Sequence, residues 1–209
     1  MNDRVQSTSQ AAFNRLLSDL NRFLKPHGLR RCGQSFARET DECWQIIGLQ
    51  KSRFTDLSEV RFTVNFGVTS KALMELRGQD PSKMPQHWTC PLRSRIGELL
   101  GQNDTWWTSQ RGDEFRSAYA DLTSALTDKA LPLFDSLKEN RGILSLYATG
   151  TIMGFEIDRD ETKTVLFACL GMTHEAADSA RQYELRYSSS PAADRAQKFL
   201  ADYRDKFGL

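Results

Sequence analysis

The chain has 209 residues, of which 39% are hydrophobic and 26% charged, and its formal net charge is +1. This make-up belongs to a folded domain of ordinary size and excludes extended disorder. The longest apolar runs, such as Val165 to Leu170, are too short to cross a bilayer, and the polar start Met1-Asn2-Asp3-Arg4 lacks the apolar core of a secretion signal, so a cytoplasmic protein without a membrane segment is expected.

Charge is unevenly spread: residues 1–112 carry roughly +5 and residues 113–209 roughly −4, which permits an anion-seeking front half without requiring one. Cys32, Cys43, Cys90 and Cys169 are scattered, with no C-x-x-C pair, so free thiols are expected.

The first predicted element is a helix with Phe13, Leu16, Leu17, Leu20 and Leu24 on one face. Ser7, Thr8 and Ser9 are its candidate N-caps, and Pro26 with Gly28 ends it. Ser35 to Thr40 and Cys43 to Lys51 read as a hairpin. The second strand has Trp44 and Ile46 on one side and Cys43, Ile47 and Leu49 on the other, as in a central strand covered twice. Glu59 to Val68 is the clearest strand: Val60, Phe62, Val64, Phe66 and Val68 alternate with Arg61, Thr63, Asn65 and Gly67. A short helix over 69–77, a proline-rich loop from Gly78 to Pro91 and a strand over Thr105 to Ser109 follow. A long helix starting near Asp113 carries Phe115, Tyr119, Leu122 and Leu126, and Pro132 should kink or divide it. Leu144 to Phe155 fits neither period. Helices are predicted over Thr162 to Leu170 and Glu175 to Tyr187, the second capped by Thr173. Pro191 opens a last helix, whose stripe is Ala196, Phe199, Leu200, Tyr203 and Phe207. The predicted fold is α+β: an antiparallel sheet of about four strands packed by helices over 1–142, with a helical C-terminal layer over 143–209 packed on it.

Several segments of the front half occur in a familiar order. They are Lys25-Pro26-His27-Gly28-Leu29 closing the first helix, the strand Ile46-Ile47-Gly48-Leu49-Gln50-Lys51-Ser52, the strand Phe62-Thr63-Val64-Asn65-Phe66-Gly67-Val68, then Arg93-Ser94-Arg95-Ile96-Gly97 and the pair Trp106-Trp107. Together they resemble the bacterial family described as domain of unknown function 4304, over roughly residues 10–140. The resemblance supports the fold and implies no activity; the last seventy or so residues lie outside it.

Among candidate sites, an arginine-rich polar set comes first. Lys51 follows Gln50 at a strand end, Arg61 and Asn65 share the polar face of the next strand, and Arg93 and Arg95 follow the proline-rich loop. Guanidinium groups form paired hydrogen bonds to phosphate or carboxylate oxygens, so this set suits an anionic ligand or an acidic partner, unless Glu59, Glu75 and Glu98 neutralise it. Trp88, Trp106 and Trp107 lie near these arginines in sequence, and indoles with arginines stack on bases or anchor protein interfaces. Adjacent tryptophans on a strand point opposite ways, which assigns at least one to the core.

Other chemistries find incomplete sets. His87-Trp88-Thr89-Cys90 has ligand-like spacing that Cys32 or Cys43 could join, but a second close pair is missing, and no metal is expected. The acids Glu156, Asp158, Asp160 and Glu161 lack the glycine and terminal glutamate of a calcium loop and suit a helix start instead. His27, His87 and His174 sit at a helix end and in turns; there is no nucleophile elbow and no phosphate-binding glycine loop. A metal-nuclease pattern finds only Glu59-Val60-Arg61, with arginine where lysine belongs. No catalytic residue and no cofactor is therefore assigned.

The sequence thus leads to a non-catalytic interaction protein whose partner is another protein, of the immunity, antitoxin-like or defence-accessory kind, with Phe199, Tyr203 and Phe207 as interface residues. A nucleic-acid or nucleotide-binding module using the basic face is the alternative, and an unrecognised enzyme is the third.

Overall fold

The structure is a computed structural model that describes residues 2–53, 60–102, 104–109, 113–148 and 159–208. Helix α1 (Asn2–Leu24) buries Phe13, Leu16, Leu17, Leu20 and Leu24 on its apolar stripe. The helix is already formed at Ser7, Thr8 and Ser9, so these residues do not cap its start. It ends where the sequence requires. Pro26 lies in a 3-10 turn, Lys25–His27, and Gly28 takes the left-handed conformation (φ 79°), its N–H donating to the Lys25 carbonyl.

Six strands form one antiparallel sheet: β1 (Arg30–Cys32), β2 (Ser35–Glu39), β3 (Cys43–Lys51), β4 (Val60–Ser70), β5 (Leu92–Arg95) and β6 (Trp107–Ser109). The order is β1-β2-β3-β4. The far edge of β4 is shared, with β5 beside Asn65 to Val68 and β6 beside Val60 to Phe62. Six strands replace the expected four because β1 and β5 are too short and too polar to show alternation. β1 is wholly exposed, and only Leu92 of β5 is apolar.

Alternation assigns the two faces. Toward α1 point Val60, Phe62, Val64, Phe66 and Val68 of β4, with Cys43, Ile47 and Leu49 of β3 and Phe36 of β2. Helices α4 (Asp113–Ala125) and α5 (Leu131–Ser136) complete that layer through Leu122 and Phe134, with Leu126 between them. Each such side chain contributes roughly 1.5–3 kcal/mol by leaving water. A π-helical stretch, Leu126–Ala130, separates α4 from α5, and Pro132 sits in the first turn of α5, where its missing N–H costs nothing.

On the opposite face a smaller apolar cluster forms at one end of the sheet. There Ala37, Trp44 and Ile46 pack under Met74 of α2 (Lys71–Leu76), Met84 and Cys90. The outer side of α2 carries the C-terminal layer. Leu73 and Leu76 join Val165 of α7 (Arg159–Cys169), Ala176, Ala180 and Tyr183 of α8 (Thr173–Tyr187), and Phe199, Leu200 and Tyr203 of α9 (Ala193–Phe207). Buried Glu161 of α7 binds Arg77 at the end of α2 at 2.7 Å, with Arg195 of α9 at 3.5 Å. Two expectations change here. Residue 142 lies inside α6 (Asn140–Ala148), whose Ile143 and Tyr147 belong to the sheet cluster, so this helix packs with the first layer and not with the C-terminal one. Thr173 is the first residue of α8 and makes no capping bond; Met172 holds the cap position.

Candidate functional site

The other end of the second sheet face holds most of the expected set, with Thr63 and Asn65 buried there. Residues opposite one another in an antiparallel pair share a face, and the register sets Arg95 against Asn65, Arg93 against Gly67 and Gln50 two positions along β3 from Gly48. Arg61, Asn65, Arg93 and Arg95 therefore stand on one surface. Asn65 is buried and donates to Gln50 Oε1 at 3.0 Å. Arg61 is exposed. Lys51 does not join them. One residue on from Gln50, it points to the opposite face, where its Nζ donates to Gln10 at 3.1 Å and lies 5.2 Å from the ring centre of Phe13 in α1. A period of two allows no other outcome.

Trp88 is placed by its neighbour. The 3-10 turn His87–Thr89 crosses the sheet over Gly48 and Gly67. A Cβ on Gly48 would meet His87 Nδ1 at 2.6 Å, and one on Gly67 would meet the His87 backbone and Cys90 Sγ at 2.9 Å. Two glycines on adjacent strands thus form a notch into which the imidazole wedges. Its buried Nδ1 has no hydrogen-bond partner among the described residues. Burial, and then the Arg93 charge, lower its pKa from the ordinary imidazole value. The ring meets Trp88 edge to face at 4.9 Å. Arg93 Nη1 holds the Trp88 carbonyl at 2.6 Å, and the indole is left 56% exposed, one of the two exposed large hydrophobic side chains among the described residues.

A second indole closes the row. Trp107 points into the core and stacks on Phe62 at 6.1 Å, whereas Trp106 faces the other way. Arg95 Nη1 and Trp106 Nε1 both donate to Asp104 Oδ2, at 2.6 and 2.9 Å, and the guanidinium lies 5.9 Å from the indole centre. Some desolvation of Asp104 is outweighed by these two bonds and by the Arg95 charge, which hold its carboxyl below the usual range. The face thus runs Trp88, Arg93, Arg95, Trp106, with Asn65 and Arg61 beside it on β4. Asp104 was not singled out in the sequence, since a lone loop acid carries no signal. Gly48 and Gly67 did carry one, because glycine inside a strand marks close approach of another backbone.

The remaining candidates disperse. No group of three or more His, Cys, Asp or Glu able to hold a metal occurs among the described residues. Cys90 Sγ faces the Gln86 carbonyl at 3.6 Å, and burial raises its pKa to about 12. Glu59, Glu156 and Asp158 lie outside the described residues; Asp160 and Glu161 pair with Arg186 and Arg77. His27 lies against Phe23 at 5.7 Å, and His174 pairs with Asp178 on the surface of α8. Phe199 and Tyr203, expected at an interface, are instead buried against α2 and α8, with Phe207 half-buried beside them; α2 presents the apolar strip that this stripe needs. No described helix is long and apolar enough to cross a membrane.

Fold and site together define an α+β domain built on a six-stranded antiparallel sheet, with arginines and tryptophans grouped on one face. The chain belongs to the family described as domain of unknown function 4304, whose model matches residues 20–136, from within α1 to the end of α5. No curated protein and no solved structure matches it.

Proposed function

We propose that the chain is a non-catalytic interaction protein that docks another protein on the second face of its sheet, through Trp88, Arg93, Arg95 and Trp106 with Arg61 alongside. A role as neutralising partner or accessory subunit of a defence system falls within this proposal. The observation that carries it is the exposed Trp88, fixed by the His87 wedge and the Arg93 hydrogen bond in one row with two guanidiniums and a second indole. Tryptophan and arginine are the residues most enriched where protein interfaces concentrate their binding energy, and a rigid indole loses little entropy on docking.

Charge favours a protein over a polynucleotide. Three guanidiniums stand on this face, but Arg95 already meets Asp104, and Glu98 accepts from the Arg95 N–H and Ser94. Guanidiniums already held in this way suit a segment with a few carboxylates. A strand carrying one charge per nucleotide gains affinity by releasing counterions from many phosphates, and this face offers few stations for them.

The test replaces Trp88 with a photo-crosslinking phenylalanine in cells that make the protein, with the same replacement at exposed Leu185 of α8 as control. A specific protein crosslinked at 88 and not at 185 is expected, with Trp88→Ala weakening that complex by about 2 kcal/mol or more. Crosslinks to RNA or DNA would move the assignment to nucleic-acid binding. Equal crosslinking at both positions would remove this face from consideration.

A further inference from the structure

We propose that Asp104 occupies, in the free protein, the place of a carboxylate of the docked partner, so that the partner's segment is an extended acidic one and Asp104 must yield for it to bind. This rests on the docking role proposed above and adds the partner's chemistry and the way it enters.

Two donors from different elements, the Arg95 guanidinium on β5 and the Trp106 indole N–H ahead of β6, converge on a single oxygen of Asp104. Such convergence defines an oxyanion position, because a charged and a neutral donor at 2.6 and 2.9 Å fix an acceptor in both distance and direction. The present occupant is easily exchanged. The Asp104 side chain is 46% exposed and Arg95 is 38% exposed, and an ion pair of that exposure favours the closed arrangement by no more than about fivefold. The chain before it turns at Gly101, whose φ of 66° ends α3 (Ile96–Leu99) and begins the short loop to β6. Arg93 stands two residues from Arg95 on the same face, about 6.8 Å away by strand geometry. A segment in extended conformation repeats its side chains at the same interval. Carboxylates at alternate positions would therefore meet Arg95 and Arg93 in turn, and the segment would run along the Trp88 indole.

The probe is a short fluorescein-labelled peptide of alternating glutamate and serine, followed by anisotropy and by the indole N–H resonances of the four tryptophans in the full chain. The peptide is expected to shift the Trp106 and Trp88 resonances and leave those of Trp44 and Trp107, which face the interior, in place as a control for folding. Asp104→Asn should bind it up to about fivefold more tightly, and Arg95→Gln at least about tenfold more weakly, the loss of one charge-assisted pair. Asp104→Ser serves if the asparagine variant does not fold. Equal or weaker binding by the Asp104 variants, or a shift of Trp88 without Trp106, overturns the exchange while leaving Trp88 as a docking residue. No peptide binding at all, together with no specific crosslink at position 88, removes the docking role itself. Binding of a single-stranded oligonucleotide in preference to the peptide overturns the acidic-segment assignment.

Discussion

Gly48 and Gly67 decide where Trp88 stands, and the contacts grade their importance. A methyl on Gly48 would strike the His87 ring, a side chain that can shift by a rotamer adjustment; a methyl on Gly67 would strike the His87 backbone, which cannot move without the turn. Gly67→Ala should cost about 2–3 kcal/mol and Gly48→Ala about 1 kcal/mol, both within the usual range for overpacking. Urea melts give the ranking, and a change in Trp88 fluorescence should accompany both. His87 also sets a pH dependence. Its pKa lies below the ordinary 6.5 in the folded chain, through burial first and Arg93 second. Above pH 6.5 neither folded nor unfolded chain binds the proton; below it the unfolded chain takes one that the folded chain resists. Stability is therefore lost as pH falls below 6.5, and His87→Gln should flatten that loss in melts compared across pH 5 to 7. A slope unchanged by the substitution would put the lost stability elsewhere. Thiol reactivity follows burial too: Cys32 is exposed, while burial pushes Cys43 and Cys90 up to about 12, so Cys32 should react first with a thiol reagent in the native protein.

At the scale of elements, β4 organises the molecule. It is the longest strand, it pairs with β3, β5 and β6, and its apolar side faces α1, α4 and α5. Phe66 is buried to 3% exposure and meets Phe134 of α5 edge to face at 5.9 Å. Phe66→Ala should cost about 3–5 kcal/mol, since the aromatic wall around it can collapse only in part; a loss below about 1 kcal/mol in urea would mean the strand is not seated as described. β4 was plain in the sequence because five apolar residues alternate with polar ones along it. β1 and β5 were not, because a short edge strand is held by backbone hydrogen bonds that any side chains allow. The same limit hid half of the site. That Arg61 and Asn65 share a face follows from a period of two within one strand. That Arg93 and Arg95 stand beside them, and that Lys51 is turned away, depends on register between strands.

For the whole molecule, the C-terminal layer completes the fold by covering α2. Deleting residues 191–209 removes Phe199, Leu200 and Tyr203 and exposes Leu73, Leu76 and Tyr183. A lower melting temperature is expected, with self-association wherever the bared strip finds a second copy. Light scattering and a thermal melt measure both, and an unchanged result in each would mean that α9 does not pack as described. The sequence by itself determined the helical stripe of α1 and its stop at Pro26 and Gly28, the alternation of β4, the α+β class and the family. These rest on spacing and backbone preference within one segment, which a linear text carries in full. Only the tertiary structure decided that the last helix spends its aromatic stripe on α2, that a histidine wedges over two glycines to present Trp88, and that Asp104 joins Arg95 to Trp106. Each of those depends on residues far apart in the chain meeting across the sheet, and packing between elements leaves no period in the sequence.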